Sequence, residues 1–173
     1  MEVLKHSDYI THIDNKEDLV YLKTKHFPVN IRLFKTSPEY KAIILQQCDY
    51  LETLVLTQMD GYKKPHGMSS ANAGLSFNII AICENRGKFN ERAKIMINPI
   101  VTKLFGEKER SLSNCGSLTL KEPIEIYRYS CITVEYYNKR GEFKVDSFTR
   151  ETGSMTIQHE IDHNNGVLIT DLK

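Results

Sequence analysis

The sequence predicts an α+β fold in which several β-strands come first and a single helix follows late in the chain. Three patterns support this: apolar runs of strand length at residues 77–82 and 93–101, an alternating hairpin pattern at residues 130–149, and a helical pattern at residues 154–164. Strands that precede a helix, rather than alternating with helices, favour α+β over α/β. A length of 173 residues with 40% hydrophobic residues predicts one domain spanning residues 1–173.

An earlier helix is predicted to begin after Ser37, because a serine hydroxyl caps a helix well and Pro38 suits the first helical position. The apolar positions of this helix recur at spacings of four, three and four residues: Ile44, Cys48, Leu51 and Val55. Gly61 is expected to stop the helix. We interpret the apolar stripe as core packing without a catalytic role.

The strands are predicted from local composition. "FNIIAI" and "AKIMINPIV" indicate two buried strands, the second interrupted at Asn98 and Pro99. Residues 102–113 are polar and charged, which predicts a loop or a hairpin, and "CGSLTL" is expected to start a short strand. The hairpin of residues 130–149 is expected to turn between Asn138 and Gly141.

Charge and composition argue against several classes of function. The 23 basic and 22 acidic residues form no long basic run, which argues against specific nucleic-acid binding. No apolar stretch approaches the length of a membrane span, and the N-terminus has no apolar segment typical of a secretory signal. The four cysteines are widely spaced without a CxxC pair, which favours reduced thiols and a cytoplasmic location: Cys48, Cys83, Cys115 and Cys131.

The segment "QHEIDHNNG" carries the strongest functional signal. On a helix His159 and His163 lie on one face, so that two imidazoles can bind one metal ion with Glu160 beside them. A divalent ion held in this way makes a bound water acidic, and Glu160 would take the proton and pass it to the leaving group. The pattern therefore predicts a hydrolytic metal site.

The same segment, "QHEIDHNNGVLITD", resembles the third signature of the peptide deformylases, which reads QHExDHLxGxLF. The resemblance extends to "EDLVYLKTKHFPV", to the early helix, to "INP" at residues 97–99 and to "EYYNKRGEF", and so covers nearly the whole chain. It implies mixed, mostly antiparallel sheets around a central HExxH helix. It also implies a ferrous ion, replaceable by nickel, cobalt or zinc, and removal of formyl groups from N-formylmethionyl peptides.

The second family signature, EGCLS, corresponds here to "CGSLT". Gly116 and Leu118 keep their places, and the resemblance implies substrate binding by Gly116 and an oxyanion donor in the Leu118 backbone N–H. Ser117 occupies the position of the metal-binding cysteine, 42 residues before His159, which is the usual separation in the family. Cys115 stands where the family has glutamate.

This exchange leaves the third ligand open between Ser117, Cys115 and a water molecule, with no tightly bound metal as a further alternative. A thiolate binds soft and borderline metals strongly, whereas a serine hydroxyl binds them weakly. In an extended strand the two side chains would point the same way about 6.5 Å apart, so that Cys115 could bind only if the strand slipped by two residues.

The first signature, GxGxAAxQxG, corresponds to "GMSSANAGLS". Gly67 matches, whereas Ser69 replaces a glycine, Asn72 replaces an alanine, and Gly74 stands where the family has the glutamine that donates to the oxyanion. The resemblance implies that these four positions bind substrate. Losing one oxyanion donor typically costs about a hundredfold in rate. Asn72 is expected either to supply a replacement amide or to be an ordinary turn residue.

Two functions are consistent with these observations. The first is a metal-dependent amidase of the peptide deformylase type that acts on an N-formylated peptide or a small N-acyl substrate. The second is a catalytically impaired relative that binds a peptide N-terminus or a partner, or that transfers the acyl group. Extended peptides can bind such a fold by adding a strand to its sheet.

Overall fold

The computed structural model describes residues 16–57, 65–118 and 122–172. The helices are α1 (Lys16–Lys23), α2 (Ile31–Thr36), α3 (Pro38–Leu56) and α4 (Ser154–Asn164), followed by a 3-10 turn (Ile169–Leu172). The strands are β1 (Gly67–Ser69), β2 (Ile79–Glu84), β3 (Arg92–Ser113), β4 (Ile124–Tyr137) and β5 (Phe143–Phe148). The late strands and the HEIDH helix therefore form as the sequence predicted.

The five strands form one antiparallel sheet in the order β1-β2-β3-β4-β5. Each strand pairs with its neighbour in the chain, which makes a meander. One isolated parallel bridge joins Phe27 to Phe77 outside these strands. The α+β architecture is thus confirmed, with the HEIDH helix packed on the sheet.

Strand β2 lies between two helices, and this explains its unbroken apolar sequence. Ile79 and Ala81 belong to the core cluster that also contains the buried face of α3. Ile80 and Ile82 point to the opposite face, into the cluster that contains Ile157 of α4. Since successive side chains of a strand alternate between its faces, a strand covered on both faces has no polar side to expose.

The predicted cap and stripe of α3 are confirmed. The Ser37 hydroxyl accepts a hydrogen bond from the Tyr40 backbone N–H, and Pro38 opens the helix. All four residues of the predicted apolar stripe are buried. The helix ends at Leu56, and the predicted stop at Gly61 lies outside the described residues.

Of the two alternatives predicted for residues 102–113, a loop or a hairpin, the structure has the hairpin. These residues form one arm of it, because β3 continues to Ser113 and pairs with the antiparallel β4 as far as Ile124, with register shifts on the way. Most side chains of residues 102–113 are exposed. Backbone hydrogen bonds to β4 therefore hold this part of the strand, and its sequence shows no apolar alternation. The strand start expected at "CGSLTL" is wrong for its described residues 115–118, which form a turn with the Leu118 N–H donating to the Cys115 carbonyl at 3.2 Å.

In the described part of the chain, no helix combines the length and the hydrophobicity that crossing a bilayer requires. All four cysteines carry free thiols.

Candidate metal centre

Helix α4 places the two histidines of the HEIDH segment side by side. The Nε2 atoms of His159 and His163 lie 3.1 Å apart, and the ring planes cross at 83°. Ile157 and Ile161 anchor the opposite side of the helix in the core beneath the sheet. The helix therefore holds both imidazole nitrogens towards one point.

Cys115 completes the cluster from a different part of the chain. Its Sγ lies 3.2 Å from the His163 Nε2, and the ligand atoms of Cys115, His159 and His163 all lie within 4.8 Å of one another. The turn that follows β3 makes this possible, since the chain leaves the sheet after Ser113. The distance expected between side chains in an extended strand does not apply to this turn.

Ser117 lies in the same turn, and its hydroxyl accepts a hydrogen bond from the Asn72 Nδ2 at 2.7 Å. The nearby N–H and hydroxyl of Ser117 favour the thiolate form of Cys115 and so oppose the rise that burial causes in the pKa of this thiol. Ser117 as a metal ligand stays a prediction, while the structure brings Cys115 to the two histidines.

The residues of the first signature are divided between the site and the surface. Asn72 is buried beside Ser117, and its Oδ1 accepts hydrogen bonds from the Ser69 hydroxyl and, at 3.2 Å, from the Ser69 N–H. Gly74 is exposed in a turn at a φ of 64° and is not among the residues that line the cleft described below. The structure therefore gives no support to substrate binding by Gly74.

Leu118 is buried, and its backbone N–H already donates to the Cys115 carbonyl within the turn. An N–H held in this way is not presented to a substrate oxygen. The sequence-based expectation that it donates to the oxyanion thus conflicts with the hydrogen bonding of this conformation, because the turn directs the N–H back along the chain.

Glu160 lies against β1. Its side chain is 5% exposed, and the Oε2 atom has no hydrogen-bond partner among the residues that the structure describes. Burial raises the pKa of Glu160 to about 8, opposed by the charge of Arg128 and by hydrogen bonds from Ser69. The close approach of Glu160 requires Gly67, because a Cβ there would lie 2.9 Å from the Glu160 Cγ.

Both histidines are neutral at pH 7. Burial and the positive charge of Arg128 lower the pKa of His163 to about 4. Burial, the neighbouring His163 and Arg128 hold the pKa of His159 well below its usual range. Burial raises the pKa of the Cys115 thiol to about 12, so that a metal ion must displace its proton to bind.

The cluster opens into a cleft of about 470 Å³. Among the predicted site residues, those lining it are Gly67, Asn72, Gly116, Ser117, His159 and Glu160. His66, Met155 and Thr156 also line it and were not predicted. Met155 lies four residues before His159, and Thr156 lies four residues before Glu160. Residues four apart share a helix face, so this spacing could have predicted that both line the cleft.

The three ligand atoms fit a divalent ion of the zinc or iron type. Tetrahedral coordination with metal–nitrogen bonds of about 2.0 Å and metal–sulfur bonds of about 2.3 Å separates the ligand atoms by about 3.3 to 3.6 Å. Two of the three separations, 3.1 and 3.2 Å, are close to these values, and all three ligand atoms lie within 4.8 Å of one another. Two neutral imidazoles and one thiol are also the ligand types that such metals prefer.

Comparison with known proteins agrees with the fold and the site. The family model described as polypeptide deformylase matches residues 26–172. A peptide deformylase of Streptococcus thermophilus is 31% identical over 129 residues, which cover 68% of this chain and 62% of that protein. The chain thus spans less than two thirds of the length of this relative.

Two solved structures have the same fold. The peptide deformylase of Thermotoga maritima superposes with a TM-score of 0.65 at 25% identity, covering 97% of this chain and 98% of that chain. A class I type b peptide deformylase of Acinetobacter baumannii with Met-Ala-Ser bound gives a TM-score of 0.66 at 18% identity, covering 95% of this chain and 96% of that chain. With its HEIDH helix, antiparallel sheet and matched residues 26–172, this chain belongs to the polypeptide deformylase family.

Proposed function

We propose that this protein is a metal-dependent amidase that removes the formyl group from N-formylmethionyl peptides or cleaves a related N-acyl amide. The observation that supports it is the convergence of Cys115, His159 and His163 beside the buried Glu160, next to a cleft of about 470 Å³. Ligands and a proton-accepting carboxyl group next to a cleft are the parts that metal-assisted amide hydrolysis requires.

We assign the metal to Cys115, His159 and His163. A divalent ion bound there, with Fe²⁺ as our first candidate and Zn²⁺, Ni²⁺ or Co²⁺ as alternatives, would polarise the amide carbonyl and activate water near neutral pH. The low pKa values of both histidines keep their lone pairs free for binding. Cys115 is preferred over Ser117 because its sulfur already lies 3.2 Å from the His163 Nε2.

Glu160 is the proton carrier in this proposal. Its partnerless Oε2 can accept a proton from water and deliver it to the nitrogen of the leaving amine. A pKa of about 8 lies close to neutral pH, where a carboxyl group can both take and release a proton. Such general acid–base catalysis typically contributes about 10² to 10⁴ in rate.

The substrate is proposed to lie in the cleft between β1 and the end of β3, with Gly67 and Gly116 giving close backbone approach. The peptide deformylase of Acinetobacter baumannii has been solved with Met-Ala-Ser bound, which supports a peptide as the ligand. The side-chain amide nitrogen of an asparagine carries two hydrogens. Asn72 donates one to Ser117 and can offer the other to the oxygen of the substrate amide.

The test is hydrolysis of formyl-Met-Ala by protein loaded with Ni²⁺ or Fe²⁺ under anaerobic conditions. We expect turnover by the wild type, a loss of about 10² or more for Glu160→Gln with metal content unchanged, and no change for Glu142→Gln, an exposed carboxylate on the hairpin. Equal rates for the wild type and Glu160→Gln would overturn the hydrolytic proposal.

The second candidate is peptide binding without turnover, or acyl transfer. It is favoured by the absence of the two family oxyanion donors, since Gly74 has no side-chain amide and the Leu118 N–H is held within its turn. A metal-loaded protein that binds formyl-Met-Ala-Ser without releasing formate would support binding. Formyl transfer to an added amine would support the transferase.

A further inference from the structure

A buried row of hydrogen bonds leads from Ser69 to the turn that carries Cys115. Ser69 donates to the Asn72 Oδ1, and the Asn72 Nδ2 donates to the Ser117 Oγ at 2.7 Å. Ser117 and Cys115 lie two residues apart in this turn. All four residues are at most 6% exposed. Burying a polar group without a hydrogen-bond partner costs free energy. These hydrogen bonds therefore favour a single conformation of the four side chains.

The direction of these hydrogen bonds follows from chemistry. The Ser69 backbone N–H can only donate, and it lies 3.2 Å from one terminal atom of the Asn72 amide, which must therefore be the oxygen. The nitrogen end of the amide then faces Ser117 and donates to its hydroxyl oxygen. The hydroxyl hydrogen of Ser117 consequently points away from Asn72, so that it is available to a thiolate at Cys115 in the same turn.

We propose that Ser117 and Asn72 are positioning residues that hold Cys115 as the third metal ligand. Ser117 donates to the sulfur and fixes the turn, and Asn72 orients the Ser117 hydroxyl. This inference rests on the metal centre of the proposed function, but it does not require turnover. Groups that hydrogen-bond a ligand typically contribute about 10- to 100-fold to metal affinity.

The experiment measures Co²⁺ binding by the full-length protein under reducing, anaerobic conditions. Affinity is obtained by competition with a chelator, and cysteine ligation by the sulfur-to-cobalt charge-transfer absorption. We expect Ser117→Ala to weaken binding about 10- to 100-fold while keeping the charge-transfer band. Asn72→Leu, which has a similar shape, should weaken binding less because the Ser117 hydroxyl remains.

The double variant tests whether Asn72 acts through Ser117. If it does, Ser117→Ala with Asn72→Leu binds Co²⁺ no more weakly than Ser117→Ala alone, because the interaction is already lost. Ser70→Ala is the matched control: it removes a neighbouring buried hydroxyl, which donates to the Ile79 carbonyl, and should leave affinity within twofold of the wild type.

Four results would overturn the proposal. They are unchanged affinity in both single variants, losses that multiply in the double variant, a charge-transfer band that disappears with Ser117→Ala, and a band that survives Cys115→Ala. Loss of the band in Ser117→Ala would make Ser117 itself a ligand. A band that survives Cys115→Ala would exclude Cys115. A variant that fails to fold shows this in circular dichroism, and the other single variant then decides the outcome. Failure of the deformylase assay leaves these binding results intact.

Discussion

The Sγ of Cys115 lies 3.2 Å from the Nε2 of His163, although 48 residues separate them in the chain. The contact exists because β3 ends at Ser113 and the chain then turns over the face of α4. A thiol facing two neutral imidazoles is a strong ligand set for borderline metals. The metal assignment therefore depends on this turn as much as on the HEIDH helix.

Removing the thiol should abolish tight metal binding. Cys115→Ser should lower the metal affinity by more than about a hundredfold, which exceeds the usual loss from a group that only supports a ligand. Metal content after dialysis against a weak chelator measures this. Cys131→Ser, in β4, is the matched control and should bind as the wild type does. Stoichiometric metal in Cys115→Ser would contradict the assignment.

Exchanging the two residues tests the position of the ligand. The double variant Cys115→Ser with Ser117→Cys has the order found in the family signature. If the observed turn decides which residue binds, the double variant should bind metal more weakly than the wild type, because residue 117 is engaged with Asn72. Affinity equal to or above that of the wild type would show that the turn adapts to the thiol.

The metal-free protein should be most stable between about pH 6.5 and 7. The pKa values of His159 and His163 are lowered, so their contribution is present above their ordinary pKa of 6.5 and is lost as the pH falls through their folded-state pKa values, about 4 for His163. The pKa of Glu160 is raised to about 8, so its contribution is present below 4.5 and is lost as the pH rises through 8.

Below pH 6.5 the unfolded state binds more protons than the folded state on His159 and His163, and also on His26 and His66, whose pKa values are lowered too, and one glutamate proton fewer. We therefore expect stability to rise with pH up to about 6.5 and to fall by about 1.4 kcal/mol per pH unit as the pH approaches 8. Urea unfolding in the presence of a chelator measures both slopes. In Glu160→Gln the decline above pH 6.5 should disappear, and a decline that persists would show that another group causes it.

Gly67 should tolerate no side chain. A Cβ at this position would lie 2.6 Å from the Thr156 Cγ2 and 2.9 Å from the Glu160 Cγ, so Gly67→Ala must separate β1 from α4. We expect a loss of about 1 to 3 kcal/mol in the free energy of unfolding. Gly116→Ala is the control, since a Cβ there meets nothing within 4 Å. Equal stability of the two variants in urea unfolding would disprove the close approach.

Asn164 should be needed to hold α4 against the segment that carries Asn72. Its Oδ1 accepts from the Ala71 N–H at 3.1 Å, and its Nδ2 donates to the Ile79 carbonyl at 2.9 Å. Asn164→Ala removes both of these buried hydrogen bonds and should cost about 1 to 3 kcal/mol. Asn165→Ala, which removes a hydrogen bond at the exposed helix end, should cost under about 1 kcal/mol. Thermal unfolding compares them, and similar losses would count against this role of Asn164.

The exposed half of β3 shows why some strands escape prediction. Residues such as Glu109 and Arg110 pair with Arg128 and Tyr127 of β4 through the backbone, while their side chains point to solvent or form ion pairs. A ribbon of this kind needs no apolar alternation, so composition alone left a loop and a hairpin as alternatives. The pairing is decided by β4, which carries the buried residues of that region.

The amino-acid sequence by itself determined the elements whose signals are local. The cap and stripe of α3, the β4–β5 hairpin and the HEIDH helix depend on residues within one or two turns of each other, and so their periodicity is visible in the chain. The same locality brought His159, Glu160 and His163 together, because residues four apart on a helix share a face.

Only the tertiary structure decided which further residue lies next to His159, Glu160 and His163. Cys115 and Ser117 both precede His159 by more than 40 residues, and which of them reaches the histidines depends on how the chain turns after β3. The contact between Asn72 and Ser117 likewise requires β1 and this turn to meet at the face of α4. Such contacts depend on strand register and turn geometry, which no local periodicity encodes.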